Sequence, residues 1–169
     1  MTRRTRRSLV RLWIASSTTA IFLGGGCALA QSTDDLLERF GLFNNCKPVV
    51  LRIEGLSSDA SEIGLTHESI QATVESRLRS ARIYTSDREQ SSFAYLYVNV
   101  TVVGGAFNWD LEFRKMVHDI ASELELQAST WEIGGTGTSN DHGYILSAIS
   151  HGMDQFLVEY LRANESACA

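Results

Sequence analysis

Phe93-Ala94-Tyr95-Leu96-Tyr97-Val98-Asn99-Val100-Thr101-Val102-Val103-Gly104-Gly105-Ala106-Phe107-Asn108-Trp109-Asp110-Leu111-Glu112-Phe113 is the stretch that decides the fold. Its first eleven residues are mostly β-branched or aromatic and leave both faces rather apolar, which predicts a strand in the middle of a sheet. Gly104-Gly105 then turns the chain back. From Phe107 to Val117 the alternation is strict. Phe107, Trp109, Leu111, Phe113 and Val117 point inward and Asn108, Asp110, Glu112 and Arg114 outward, the pattern of an antiparallel partner with one solvated face.

Downstream, a turn over 119–122 leads to a third meander strand over 123–133. Leu124, Leu126 and Ala128 share one face and Trp131 and Ile133 the other, so a bulge near Ser129 is needed to reconcile the two halves. The tract Gly134-Gly135-Thr136-Gly137-Thr138-Ser139-Asn140 reads as a flexible loop. Asp141 caps a last, long helix whose Ile145, Ile149, Met153, Phe156 and Tyr160 form a wide apolar stripe. Upstream, Thr33 to Gly41 reads as a short helix, Val49, Leu51 and Ile53 as one face of a first strand, and Thr66 as the cap of a helix to about Arg82. That helix carries Glu68 in its first turn, Arg77 and Arg79 in its last, and Ile70, Val74, Leu78 and Ala81 at helical spacing. The order β-α-β-β-β-α, after one short helix, predicts an α+β two-layer sandwich: a four-stranded, mostly antiparallel sheet with helices on one face.

The first thirty residues stand apart from this domain. Five of the fifteen basic residues lie there and none of the twenty acids, and an apolar run from Leu12 to Leu23 is followed by Ala28-Leu29-Ala30. This is the pattern of an export signal cleaved before Gln31, leaving 31–169 as a single domain. Thr5-Arg6-Arg7-Ser8-Leu9-Val10-Arg11 also resembles a twin-arginine signal. Gly24-Gly25-Gly26-Cys27 resembles a lipoprotein box, with Leu23 four places before the cysteine where three is usual, so membrane association is expected only through a lipid at Cys27. From Gln31 onward the net charge is −10. Such a surface repels nucleic acid and anionic lipid, which excludes both as expected partners. Cys46 and Cys168, one near each end of the domain, are expected to form a disulfide in an oxidising compartment.

Little in the chain points to catalysis. His67, His118, His142 and His151 have no metal-ligand spacing; His151 and Asp154 share a helix face as a solvated pair would. The glycine tract lacks the lysine of a phosphate loop, and no other cofactor motif is present. Asp110 and Glu112 occupy outward positions of an exposed strand, where polar residues are the rule. Asn99-Val100-Thr101 and Asn164-Glu165-Ser166 match the glycosylation sequon by coincidence. Tyr95, Tyr97 and Trp131 are the candidate binding face, placed on the side of the sheet away from the helices. They are either covered by the N-terminal segment with Leu42 and Phe43 or open to a partner protein or apolar ligand.

The segments Leu42-Phe43-Asn44-Asn45-Cys46-Lys47-Pro48, Glu54-Gly55-Leu56, Ile63-Gly64-Leu65-Thr66 and Glu75-Ser76-Arg77-Leu78-Arg79-Ser80-Ala81-Arg82 resemble those of a group of small exported bacterial proteins of unassigned function. That resemblance covers most of residues 31–169 and carries no catalytic residue with it. At the level of element order alone, the chain is similar to α/β domains of envelope assembly, namely the lipopolysaccharide-assembly lipoprotein and the amino-terminal domain of TolB. The expected function is a non-enzymatic periplasmic or secreted module that binds an envelope protein through a sheet edge or the aromatic face. Two alternatives remain: a hydrolase whose site gathers His118 or His151 with carboxylates, and a carrier of a small apolar ligand.

Overall fold

A computed structural model describes residues 33–87 and 94–168. The leader with its cleavage site, Cys27 and Phe93 lie outside the described residues. Among the described residues nine elements follow one another: α1 (Thr33–Leu42), β1 (Val50–Ile53), α2 (Ser58–Glu62), α3 (His67–Ser80), β2 (Ala94–Val103), β3 (Ala106–Asp119), β4 (Leu124–Thr138), α4 (His142–Ala163) and α5 (Glu165–Cys168). The class is α+β, as the periodicity predicts.

The sheet has the order β1-β2-β3-β4 and is mixed, not mostly antiparallel. β2 with β3 and β3 with β4 are antiparallel, but β1 runs parallel to β2, with Leu51 opposite Leu96 and Ile53 opposite Val98. The reason is the connection. Only a hairpin reverses a neighbouring strand, whereas α2 and α3 carry the chain back to the end where β1 began.

Alternation decides the layers. Leu96, Val98, Val100 and Val102 of β2 stand beside Phe113, Leu111, Trp109 and Phe107 of β3, all buried on one face. Against it lie Ile70, Val74 and Leu78 of α3 and Ile145, Ile149, Met153, Phe156 and Tyr160 of α4. Both long helices begin as their caps predict. Thr66 and Ser69 form a reciprocal capping box at α3, and Asp141 Oδ1 accepts from Gly143 N at 2.8 Å at α4. The sequence gives no sign of α2, which is only five residues long. It has a structural use: Ser57 Oγ donates to Val102 O at 2.9 Å and Asp59 Oδ2 accepts from Gly104 N at 2.9 Å, pinning the β2–β3 turn.

The expected flexible loop from Gly134 is instead the last third of β4, which runs unbroken to Thr138. Its glycines are matched to aromatic neighbours. A Cβ on Gly137 would lie 2.7 Å from the Phe107 ring, and one on Gly135 3.1 Å from the Trp109 indole. The two rings lie against the β4 backbone and supply the packing that glycine lacks. The bulge expected near Ser129 is present: Phe113 pairs with Trp131 and Arg114 with Ser129, leaving Thr130 as the extra residue.

The two ends of the domain meet. Cys46 and Cys168 form a disulfide with Cα atoms 5.2 Å apart, 122 residues apart in sequence. Beside it Asn164, fully buried, uses its whole amide. Its Oδ1 accepts from Asn44 N at 3.0 Å and Cys46 N at 3.1 Å, and its Nδ2 donates to Leu42 O at 3.0 Å and Tyr160 O at 2.9 Å. The Tyr160 hydroxyl, whose pKa burial pushes up, lies 2.5 Å from Asn44 Oδ1 and 2.9 Å from Lys47 O.

Candidate functional site

The expected aromatic face is divided by the sheet. Trp131 opposes Phe113 on the helix side, where its ring packs 5.3 Å from that of Phe156 and its Nε1 donates to Glu159 Oε2 at 2.6 Å. Tyr95 and Tyr97 lie on the opposite side. The bulge at Thr130 accounts for the difference, since one extra residue shifts every later β4 side chain by one face.

Nor, among the described residues, does the N-terminal segment cover the tyrosines. Leu42 is buried in the core, and the end of α1 docks against α4 and β4 on the helix side. The tyrosines are covered by arginines of neighbouring strands. The Arg52 guanidinium sits 4.2 Å from the centre of the Tyr95 ring, which is buried, and that of Arg114 4.3 Å from the centre of the Tyr97 ring. Tyr97 donates its hydroxyl to Glu54, and Arg114 Nε donates to Glu112 Oε2 at 2.9 Å. The bond to Glu54, with some desolvation, pushes the Tyr97 phenol up to about 12; the bond to Glu112 pushes the Arg114 guanidinium up as well. This face is a laced polar layer over two rings and not an open apolar patch.

The other sequence candidates are dispersed. Asp110 Oδ2 is held by Asn108 and, at 3.5 Å, by Asn99 Nδ2, while Glu112 is held by Arg114. Asp154 Oδ1 accepts from Arg77 Nε of α3 at 3.0 Å, so its partner is not His151. His142 Nδ1 lies 3.1 Å from Ile63 O. His118 opens on a groove whose described lining includes no carboxylate, and its cross-strand neighbour on β4 is Glu125, one acid on an exposed arm with no second catalytic group beside it among the described residues. Among the described residues no three of His, Cys, Asp and Glu gather as metal ligands. Asn164 of the second sequon is inside the clasp with both amide atoms engaged, where no glycan fits.

What stands open is an edge. Val103 and Ala106 oppose each other across a two-residue turn with positive φ at both glycines, 55° and 81°. In such a hairpin that pair exchanges both of its hydrogen bonds, so Phe107, Trp109 and Leu111 turn their backbone groups to β4. Their partners Gly137, Gly135 and Ile133 face inward, in step with Ser139 N donating to Gly105 O at 2.8 Å. Glu132, Gly134, Thr136 and Thr138 therefore direct their N–H and C=O groups outward.

β4 ends the sheet, and no strand pairs with that side among the described residues. Towards the bulge, α1 closes the edge. Thr130 Oγ1 donates to Gly41 O at 2.6 Å, and the two chains approach so closely that a Cβ on Gly41 would sit 2.8 Å from Thr130 O. Beyond Thr130 about 20 Å of strand edge remains, with neither lysine nor proline and with Glu132 as its one charge.

No protein-family model, curated protein or solved structure matches this chain. Among the described residues no helix is long and apolar enough to cross a membrane.

Proposed function

We propose that the chain is a non-enzymatic binding module of the periplasm or the secreted space, exported by residues 1–30, that takes an extended segment of an envelope protein as a fifth strand on β4. The observation that carries this reading is the outward row of four N–H and four C=O groups from Glu132 to Thr138. Backbone hydrogen bonds to a sheet edge supply affinity without a pocket, and alternate side chains of the incoming strand supply specificity. Natural edges are normally blunted by charge, proline or a covering element; α1 blunts this one at Thr130 and stops there. The disulfide supports the compartment, because such bonds persist where the medium is oxidising.

The test places a photoreactive residue at Glu132, on the rim, in the full chain exposed to envelope extract. The reading predicts an adduct whose partner peptide is extended, and loss of that adduct when Thr136→Pro removes one outward N–H. Proline is tolerated where a strand faces solvent, so the variant should keep its fold and disulfide. Adducts unchanged by Thr136→Pro, or none at all, would contradict the reading.

A further inference from the structure

A groove of about 710 Å³ lies at the opposite end of the sheet from the β2–β3 turn, between the end of α1 and the arm where β3 and β4 run on past the start of β2. That volume falls within the range of small-molecule sites, roughly 300 to 1,000 Å³. From residue 31 onward the chain has net charge −10, yet the groove's described lining includes no acid. It does include Lys47 and Lys115, the only two lysines in the sequence, together with His118.

Lys115 is fixed in place. Its ammonium donates to Phe40 O and, at 3.2 Å, to Phe43 O, the carbonyls at the negative end of α1, and it lies 4.8 Å from the centre of the Phe40 ring. Among the described residues two of its three N–H groups are used, which leaves one for a ligand. Burial holds this amine below its ordinary pKa, so its charge is kept at a cost that a paired anion would relieve.

The walls are apolar: Phe40 is 61% exposed, and Val117 faces the same side of the sheet. Val117 pairs with Leu126, and Leu124, paired with Asp119, follows two residues away on that side, so an apolar stretch leads from the ammonium along the start of the arm and stops at the Asp119 carboxylate. Leu124 and Leu126 are exposed. An apolar strip ending in a held cation is complementary to a molecule with an acidic head and an apolar tail.

We propose that this groove binds one long-chain carboxylate, its head on the free N–H of Lys115 and its tail along Phe40 and Val117. The site is separate from the β4 edge and does not depend on it.

Because the chain has two lysines, ¹³C-lysine labelling of the full-length protein gives two side-chain resonances, assigned with Lys47→Arg and Lys115→Arg. Laurate below its micelle concentration should move the Lys115 resonance saturably and raise the pH at which it titrates. Lys115→Gln should weaken binding by about tenfold or more, and Val117→Ser, which removes apolar wall without adding a charge beside Lys115, should weaken it as well. Thr136→Pro should bind as the parent does, whatever becomes of strand addition. Acetate, with no tail, and dodecanol, with no charge, should each leave Lys115 in place at matching concentration. The proposal is overturned if laurate gives no saturable shift, if acetate or dodecanol matches it, or if Lys115→Gln binds equally well. Vesicles of anionic phospholipid shifting Lys115 where laurate does not would overturn it in favour of a lipid headgroup.

Discussion

Asn164 shows what one side chain can do for the ends of a domain. Four hydrogen bonds converge on its amide, and all four reach buried or part-buried backbone groups. Asn164→Ala orphans several of these at once, at roughly 1–3 kcal/mol for each group left dry. We expect a loss of about 3 kcal/mol in denaturant unfolding, with the disulfide intact. Gly152 is as restrictive in space as Asn164 is in bonding, since a Cβ there would lie 2.5 Å from the Trp109 ring. The overpacking penalty of Gly152→Ala, about 1–3 kcal/mol, opposes the roughly 1 kcal/mol that alanine gains in a helix, so the melting temperature should fall or, at best, hold. On the far face, Tyr97 is held protonated by Glu54. A phenol whose folded pKa is raised contributes stability below its unfolded value, near 10, and loses it as pH climbs through about 12. Residue-resolved NMR of labelled tyrosine should find Tyr97 titrating late and Glu54→Gln bringing it back towards 10. A Tyr97 that ignores Glu54→Gln would show that the pair does not hold in solution. The sequence marks Asn164 only as a sequon. A buried asparagine is recognised by what surrounds it, and three of its four partners lie about 120 residues away.

At the scale of elements, period and caps were enough to place β2, β3, α3 and α4, because each has one strongly apolar face and a turn or cap at its ends. Two elements escaped, besides the four-residue α5. β4 past Ile133 is written in glycine and threonine, and local preference rightly reads Gly134-Gly135-Thr136-Gly137 as loop. The strand exists there because Phe107 and Trp109 pack onto the bare backbone, a contact between elements that local sequence does not encode. α2 is too short to show a period. The bulge at Thr130 was legible as a break in alternation, but its consequence for Trp131 was not: carrying the one-residue shift through moves that ring from the open face to the helix side. The edge left by β4 thus depends on the glycines that hid the strand. A side chain on Gly137 or Gly135 would strike the aromatic ring below and push the edge out of line.

For the whole molecule, the mixed sheet brings residues 42–47 and the end of α4 together, and the Cys46–Cys168 bridge closes a loop of 122 residues. In the chain-entropy picture that closure is worth up to about 4–5 kcal/mol. The double variant Cys46→Ser, Cys168→Ser should therefore unfold at lower denaturant while keeping its fold, because the Asn164 and Tyr160 contacts still join the same segments. If the double variant is as stable as the oxidised chain, the bridge adds nothing beyond that polar clasp. Strand addition depends most directly on the backbone itself. Amide hydrogen exchange along β4 reads it residue by residue. Exchange should be slow at Ile133, Gly135 and Gly137, whose N–H groups face β3, and fast at Gly134, Thr136 and Thr138, whose N–H groups face outward. Comparable protection in the two sets would mean that the edge is already occupied and that β4 is not free to take a fifth strand.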